Sequence, residues 1–301
     1  MTYARREPTF EETGAPKPQL RRRRRSAAPV VLSLVALIIA AAGSWLSRPE
    51  LPLVATTAPA AAPDPGRTEP APDDDLQPAA DSPAPLPPLA GQPLQAEEVA
   101  DALTLLLGRD AVLGLLATTD FPRRAVATLD NLGRDHAPVA AWPVLPAPGR
   151  FLAEPGGSPQ VIATRNALRY APFVGFVASV DAAAAVDLYG RMYPLLQQAY
   201  RDLGFGERSL HARVVEVIDL LLATPDPVQP PEVTLTQVKG PVPSERPWTR
   251  YEYADASLQG LAAGQKILLR VGPENRKVLK EKLRQLRVQL QRASASAAPR
   301  S

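Results

Sequence analysis

Cysteine is absent from this 301-residue chain, which excludes disulfides, thiolate metal sites and cysteine nucleophiles together. The absence fits an oxidising envelope compartment without requiring one. Histidine is scarce: His136 and His211 are the only two, far apart and in no HExxH arrangement, so no metal site is expected. There is no GxSxG, no serine three residues before a lysine in a helical setting, and no glycine-rich phosphate loop. Serine-hydrolase, β-lactamase-like and nucleotide-dependent chemistries thereby lose their usual supports, and no cofactor is expected.

Proline is abundant instead, at 35 residues, too many for one compact unit, so part of the chain must be linker. The charge is unevenly spread. Residues 1–25 carry a net +5 and residues 273–301 a net +6, and subtracting these from the total of +3 leaves −8 for the stretch between. The basic pI belongs to the two ends, which argues against a nucleic-acid partner for the central domain.

Only one apolar run is long. Ala27 to Leu46 (AAPVVLSLVALIIAAAGSWL) gives twenty residues without a charge, about the number a helix needs to cross ~30 Å of hydrocarbon. Arg21 to Arg25 precede it directly, whereas Arg48 and Arg67 are the only basic residues nearby on the other side. The positive-inside bias then keeps residues 1–26 in the cytoplasm and places the rest beyond a bacterial inner membrane, with Trp45 at the distal interface. A cleaved signal peptide is the alternative, with Val30 to Ile39 as its apolar stretch and Ala40-Ala41-Ala42 as the cut. The long charged lead-in and the continuing apolar run favour the anchor. Ser26-Ala27-Ala28-Pro29 after the arginines does not suit a twin-arginine export signal.

Between Ser47 and Pro93 there are thirteen prolines, many alanines and the cluster Asp73-Asp74-Asp75. Such a segment cannot offset its ordering entropy by burial and is expected to be disordered. Treated as coil it reaches roughly 40 Å, and as polyproline II at most about 140 Å.

From residue 94 to residue 290 the pattern predicts one mainly α domain with a small β-hairpin, followed by a disordered tail over residues 291–301. A helix near Ala96 ends at Gly108, and a second covers Asp110 to Thr118. A third opens with Pro122 at its first position. Residues 137–157 read as loop, held by Trp142 and Phe151. From Asp181 to Leu203 the residues Val186, Tyr189, Tyr193, Leu196, Tyr200 and Leu203 recur at helical spacing, with Pro194 inside and Gly204 as the stop. Ser209 to Ala223 gives a further helix. Val233 to Val238 and Trp248 to Tyr253 alternate as strands do. Pro273 opens a last helix with Leu279, Leu283, Leu286 and Leu290 in one stripe. Its remaining surface carries Arg276, Lys277, Lys280, Lys282, Arg284 and Arg287. That helix either lies on anionic headgroups or packs its leucines on the domain, with the charges in water; packing is favoured.

Five segments carry a family resemblance: FPRRAVATLDNL (Phe121 to Leu132), RNALRYAPFVGFVASVD (Arg165 to Asp181), YGRMYPLLQQAYRDLGF (Tyr189 to Phe205), VIDLLLATP (Val217 to Pro225) and YADASLQGLAAGQKILLRVGPEN (Tyr253 to Asn275). Over roughly Leu86 to Leu290 the chain resembles the bacterial domain of unknown function 3014 family. The resemblance implies an N-terminal membrane segment, a variable linker and a domain of this length, and it implies no activity or ligand.

Several residues are candidates for binding. Arg123 and Arg124 could take an anionic group that Asp130 and Asn131 hold by hydrogen bonds, although the same residues also suit a helix end and an ion pair. Arg169 and Tyr170, with Asn166 ahead, could line a cleft with Tyr193 and the other tyrosines of the long helix, which equally suit a core edge. Glu216 and Asp219 are three apart on one helix, the kind of carboxylate pair glycoside hydrolysis uses, and also a common solvated pattern. No constellation commits the chain to a reaction. The leading expectation is a tethered interaction or scaffold domain acting on another envelope protein, on peptidoglycan or on the membrane surface. The alternative is a periplasmic hydrolase using Asp130, Glu216 or Asp219 as acid or base.

Overall fold

Residues 91–154, 158–236 and 249–297 are those described by the computed structural model. The predicted spanning run 27–46, the linker up to residue 90 and Trp248 lie outside the described residues. Among those described, no single helix is long and apolar enough to cross a membrane.

Several helices start where the local sequence supplies a cap or a proline. A 3-10 turn at Ala96–Glu98 leads into α1 (Val99–Leu107), and the Glu98 carboxylate reaches back to the Gln95 N–H at 2.8 Å. Gly108, with φ of 84°, ends α1. Helix α2 (Arg109–Leu115) stops three residues short of the predicted Thr118. Leu116 turns extended and bridges Val144, so the loop at 143–145 captures the backbone that would have continued the helix. Helix α3 (Phe121–Leu132) begins one residue before Pro122 and follows Asp120 in the left-handed region at φ 53°, a conformation Asp tolerates better than most residues.

Helix α4 (Ala171–Ser179) follows a 3-10 stretch, Thr164–Arg169. In α5 (Ala182–Tyr200) the Asp181 carboxylate accepts from the Ala184 N–H at 2.7 Å and caps the first turn. The helix runs on through Pro194 into a π turn at Arg201–Phe205, where Gly204 takes φ of 94°. Helix α6 (Leu210–Leu222) is capped by Ser209 in the same manner as α5. After the sheet come α7 (Ala256–Gln259), α8 (Ala263–Arg270) and α9 (Pro273–Ala297). Helix α9 extends past Leu290 into the predicted disordered tail, because no helix breaker occurs before Pro299.

Helix α5 packs on α3 and on α9, and α9 also packs on α4 and α6. Leu129, Leu188, Leu196, Val214, Ile218 and the α9 leucines 279, 283, 286 and 290 share one core with Leu94, Val99 and Leu103. Trp142 and Phe151 are both buried, so the loop they sit in is held as the sequence suggests. Helix α8 approaches α6 and α3 closely: a Cβ on Gly264 would lie 2.6 Å from Leu221 Cδ2 and 3.1 Å from the Leu132 carbonyl oxygen.

The sheet has three antiparallel strands in the order β1 (Gln160–Val161), β2 (Glu232–Leu235), β3 (Tyr251–Tyr253). The predicted pairing of the last two is present, with Val233 opposite Tyr253 and Leu235 opposite Tyr251. Strand β1 is an addition: Gln160 pairs with Val233 and directly follows Pro159, and the two-residue segment is too short to show alternation. The sheet covers a second, smaller core of Phe151, Ile162, Val233, Tyr253 and Leu269.

Candidate binding site

The predicted site residues fall into networks with different partners. Asp130, at the end of α3, is only 5% exposed. Its carboxylate accepts from Arg134 Nε at 2.6 Å and from Arg213 Nε at 3.0 Å, while Arg213 Nη2 donates to the Asp130 carbonyl at 3.1 Å. Arg213 Nη1 donates to Glu216 at 2.7 Å. The guanidinium fits because Gly133 has no Cβ, which would stand 2.6 Å from Arg213 Nη2. Arg134 also lies over the Phe205 ring at 5.8 Å. Asp219 sits elsewhere on α6 and forms a two-pronged pair with Arg287 of α9, at 2.9 and 3.1 Å. Each of the three carboxylates weighed for acid or base chemistry is therefore engaged by a guanidinium.

Arg123 is exposed in the first turn of α3 and Asn131 is half-buried in its last turn. Among the described residues Arg124 meets no carboxylate. It donates to the carbonyls of Thr119 at 3.0 Å, Ala140 at 2.7 Å and Trp142 at 3.4 Å, tying the following loop to α3.

The second network lies beside the small sheet. Asn166, fully buried, accepts from the Leu152 N–H at 3.2 Å and from Arg169 Nη1 at 3.1 Å, and donates to the Arg270 carbonyl at 3.2 Å. Arg169 further donates to the carbonyls of Pro148 and Gly149 and to the Tyr170 hydroxyl at 3.3 Å. Burial pushes the Tyr170 phenol up, opposed by the charges of Arg169 and Arg270. Arg270 is 4% exposed and lies 5.3 Å from the Tyr253 ring centre and 5.9 Å from that of Phe151.

Tyr193 belongs to a third network. Its hydroxyl donates to Gln197 Oε1 at 2.7 Å, and the same oxygen accepts from the Leu210 N–H at 2.9 Å. The neighbouring Tyr189 hydroxyl lies 3.0 Å from His211 Nδ1, with the two rings stacked. Burial, and then the charge of Arg287, lowers the His211 pKa to about 4. The tyrosines of α5 thus pair with α6, and Arg169 and Tyr170 pair with the loop and α8. The single cleft expected to unite Tyr170 and Tyr193 is replaced by two separate sets of hydrogen bonds.

The basic surface expected on α9 needs correction. Arg276, Lys280 and Lys282 are buried, at 3, 5 and 6% exposure. Lys280 Nζ donates to the Thr224 carbonyl at 2.5 Å and to Asp226 at 2.7 Å, and Arg276 Nε donates to Asp226 at 2.7 Å. Lys280 first, and Arg276 with it, holds the Asp226 carboxyl below the usual range. Lys282 Nζ donates to the Val180 carbonyl. Lys280 and Lys282 meet the carbonyls that follow α6 and α4, where a helix carries its negative end.

The family model described as "Protein of unknown function (DUF3014)" matches residues 121–287, more than half of the chain. The chain belongs to the DUF3014 family. The match opens at the first residue of α3 and closes at Arg287, the partner of Asp219, so all three networks of this DUF3014 protein lie within it. No curated protein and no solved structure matches the chain.

Arg213, Arg270, Gln197 and Asp226 carry these networks and were not singled out in the sequence. Arg213 stands three residues before Glu216, a spacing that could have marked it. Arg270 closes the run Lys266-Ile267-Leu268-Leu269, where nothing distinguishes a buried arginine from a surface one.

Proposed function

We propose that this DUF3014 protein is a single-pass inner-membrane protein whose helical domain is held in the periplasm as a non-enzymatic interaction or scaffold module. The uncharged run 27–46 behind five arginines supports the anchor, and the proline-rich segment supports a tether reaching well clear of the bilayer. The observation that carries the non-enzymatic reading is the engagement of Asp130, Glu216 and Asp219 by Arg213, Arg134 and Arg287. A general acid or base must exchange its proton with substrate, and a carboxylate already held by a guanidinium is poorly placed to do so. The test is crosslinking in intact cells followed by capture of the full-length chain. A reproducible envelope partner, lost when residues 94–297 are deleted, is expected. Recovery of none across several growth conditions contradicts the reading.

A further inference from the structure

We infer that Arg270 is the centre of a binding site for a small oxyanion group, a carboxylate or a phosphate, beside the three-stranded sheet. The inference deepens the interaction-domain reading by naming what the partner presents.

Arg270 differs from the other deeply placed cations. Arg213 has Asp130 and Glu216, Arg276 and Lys280 share Asp226, and Lys282 and Arg124 meet backbone carbonyls. Arg270 is more deeply buried than Arg213 or Arg124, yet among the described residues its guanidinium meets only neutral groups, with Nη2 donating to the Tyr251 carbonyl at 2.7 Å and the Tyr253 phenol beside it. Its Nε is buried with no partner, and among the described residues no carboxylate pairs with it. A guanidinium taken out of water without an anion is strongly disfavoured, and the unfilled donor adds to the cost. The ring faces of Tyr253 and Phe151 and the end of α8 favour a cation, but they provide no acceptor for Nε. An oxyanion supplies both the charge and the acceptor, in the planar geometry a guanidinium matches.

The surroundings suit such a group. The Tyr170 hydroxyl is held by Arg169 on one side, and the half-buried Tyr251 hydroxyl donates to Gln160 at 2.7 Å on the other. Phe151, Tyr251 and Tyr253 give the cluster apolar walls, which strengthen a charge pair by excluding water.

The test measures thermal unfolding of the full-length chain in mild detergent, at constant ionic strength. Sodium chloride is titrated against inorganic phosphate, acetate and benzoate. A saturable rise in the midpoint of about 3 to 5 °C is expected with at least one oxyanion and none with chloride. Phosphate alone acting would identify a phosphate site, and acetate or benzoate a carboxylate site. Arg270→Lys, which keeps the charge but loses Nε and the planar fork, should cut the apparent affinity at least tenfold. Arg270→Met should abolish the response, and Arg292→Met, on the exposed end of α9, should leave it intact. If the folded parent shows no saturable shift with any oxyanion, or if Arg270→Lys binds as the parent does, the site is refuted. Neither result affects the crosslinking test, which needs no oxyanion.

Discussion

Lys282 Nζ donates to the Val180 carbonyl at 2.7 Å, so an ammonium on the last helix closes the end of α4 from 102 positions further along the chain. Lys280 does the same for the end of α6 at Thr224. Two cations of the final helix thus terminate other helices from within the fold.

Replacing Lys282 with Met would leave the Val180 carbonyl buried without a donor. Such a loss costs about 1–3 kcal/mol. Lys277, exposed on the same helix, should tolerate Met within about 0.5 kcal/mol. Urea unfolding of the full-length chain distinguishes them, and equal effects would show that Lys282 is not structurally engaged.

Asp130 and Glu216 share Arg213 but should differ sharply in importance. Asp130→Asn leaves Arg213, whose side chain is 18% exposed, without its buried counter-charge, at a cost of roughly 3 kcal/mol. Glu216, 65% exposed, contributes under about 1 kcal/mol as a surface partner. Chemical denaturation of Asp130→Asn and Glu216→Gln checks the order.

Two glycines make room for neighbours of different stiffness. Gly264→Ala meets Leu221 and a backbone oxygen and should cost about 1–3 kcal/mol. Gly133→Ala meets the Arg213 guanidinium, so its cost should largely disappear in an Arg213→Ala background. A double-mutant cycle reads this directly, and simple additivity would contradict the contact.

His211 makes the fold acid-sensitive. Its folded pKa of about 4 lies below the ordinary 6.5, so between these values the unfolded chain binds the extra proton. Stability is therefore intact above pH 6.5 and declines as pH falls toward 4, by about 3 kcal/mol at most from this residue. His211→Gln should flatten that window of the pH–stability profile. An unchanged slope would show that other groups dominate.

The helices were legible wherever period and punctuation agreed. Asp181, Ser209, Gly108 and Gly204 act at the ends that spacing assigns them. Strand β1 was not legible, since two residues cannot display a period. The buried cations were half visible: Arg276 and Lys280 recur at helical spacing with Leu279 and Leu283, which places them on the core stripe. Composition suggested water for them, and only the carbonyls of Thr224 and Val180, fixed by tertiary packing, explain their burial. For the same reason Arg169 and Tyr170 could be recognised as one unit, while Arg270 beside them could not.

A topology reporter fused after residue 93 in living cells tests the proposed placement most directly. Alkaline phosphatase at that position should be active, and a fluorescent protein that matures only in the cytosol should stay dark. Bright cytosolic fluorescence with inactive phosphatase would contradict the anchor, its orientation and the periplasmic role together.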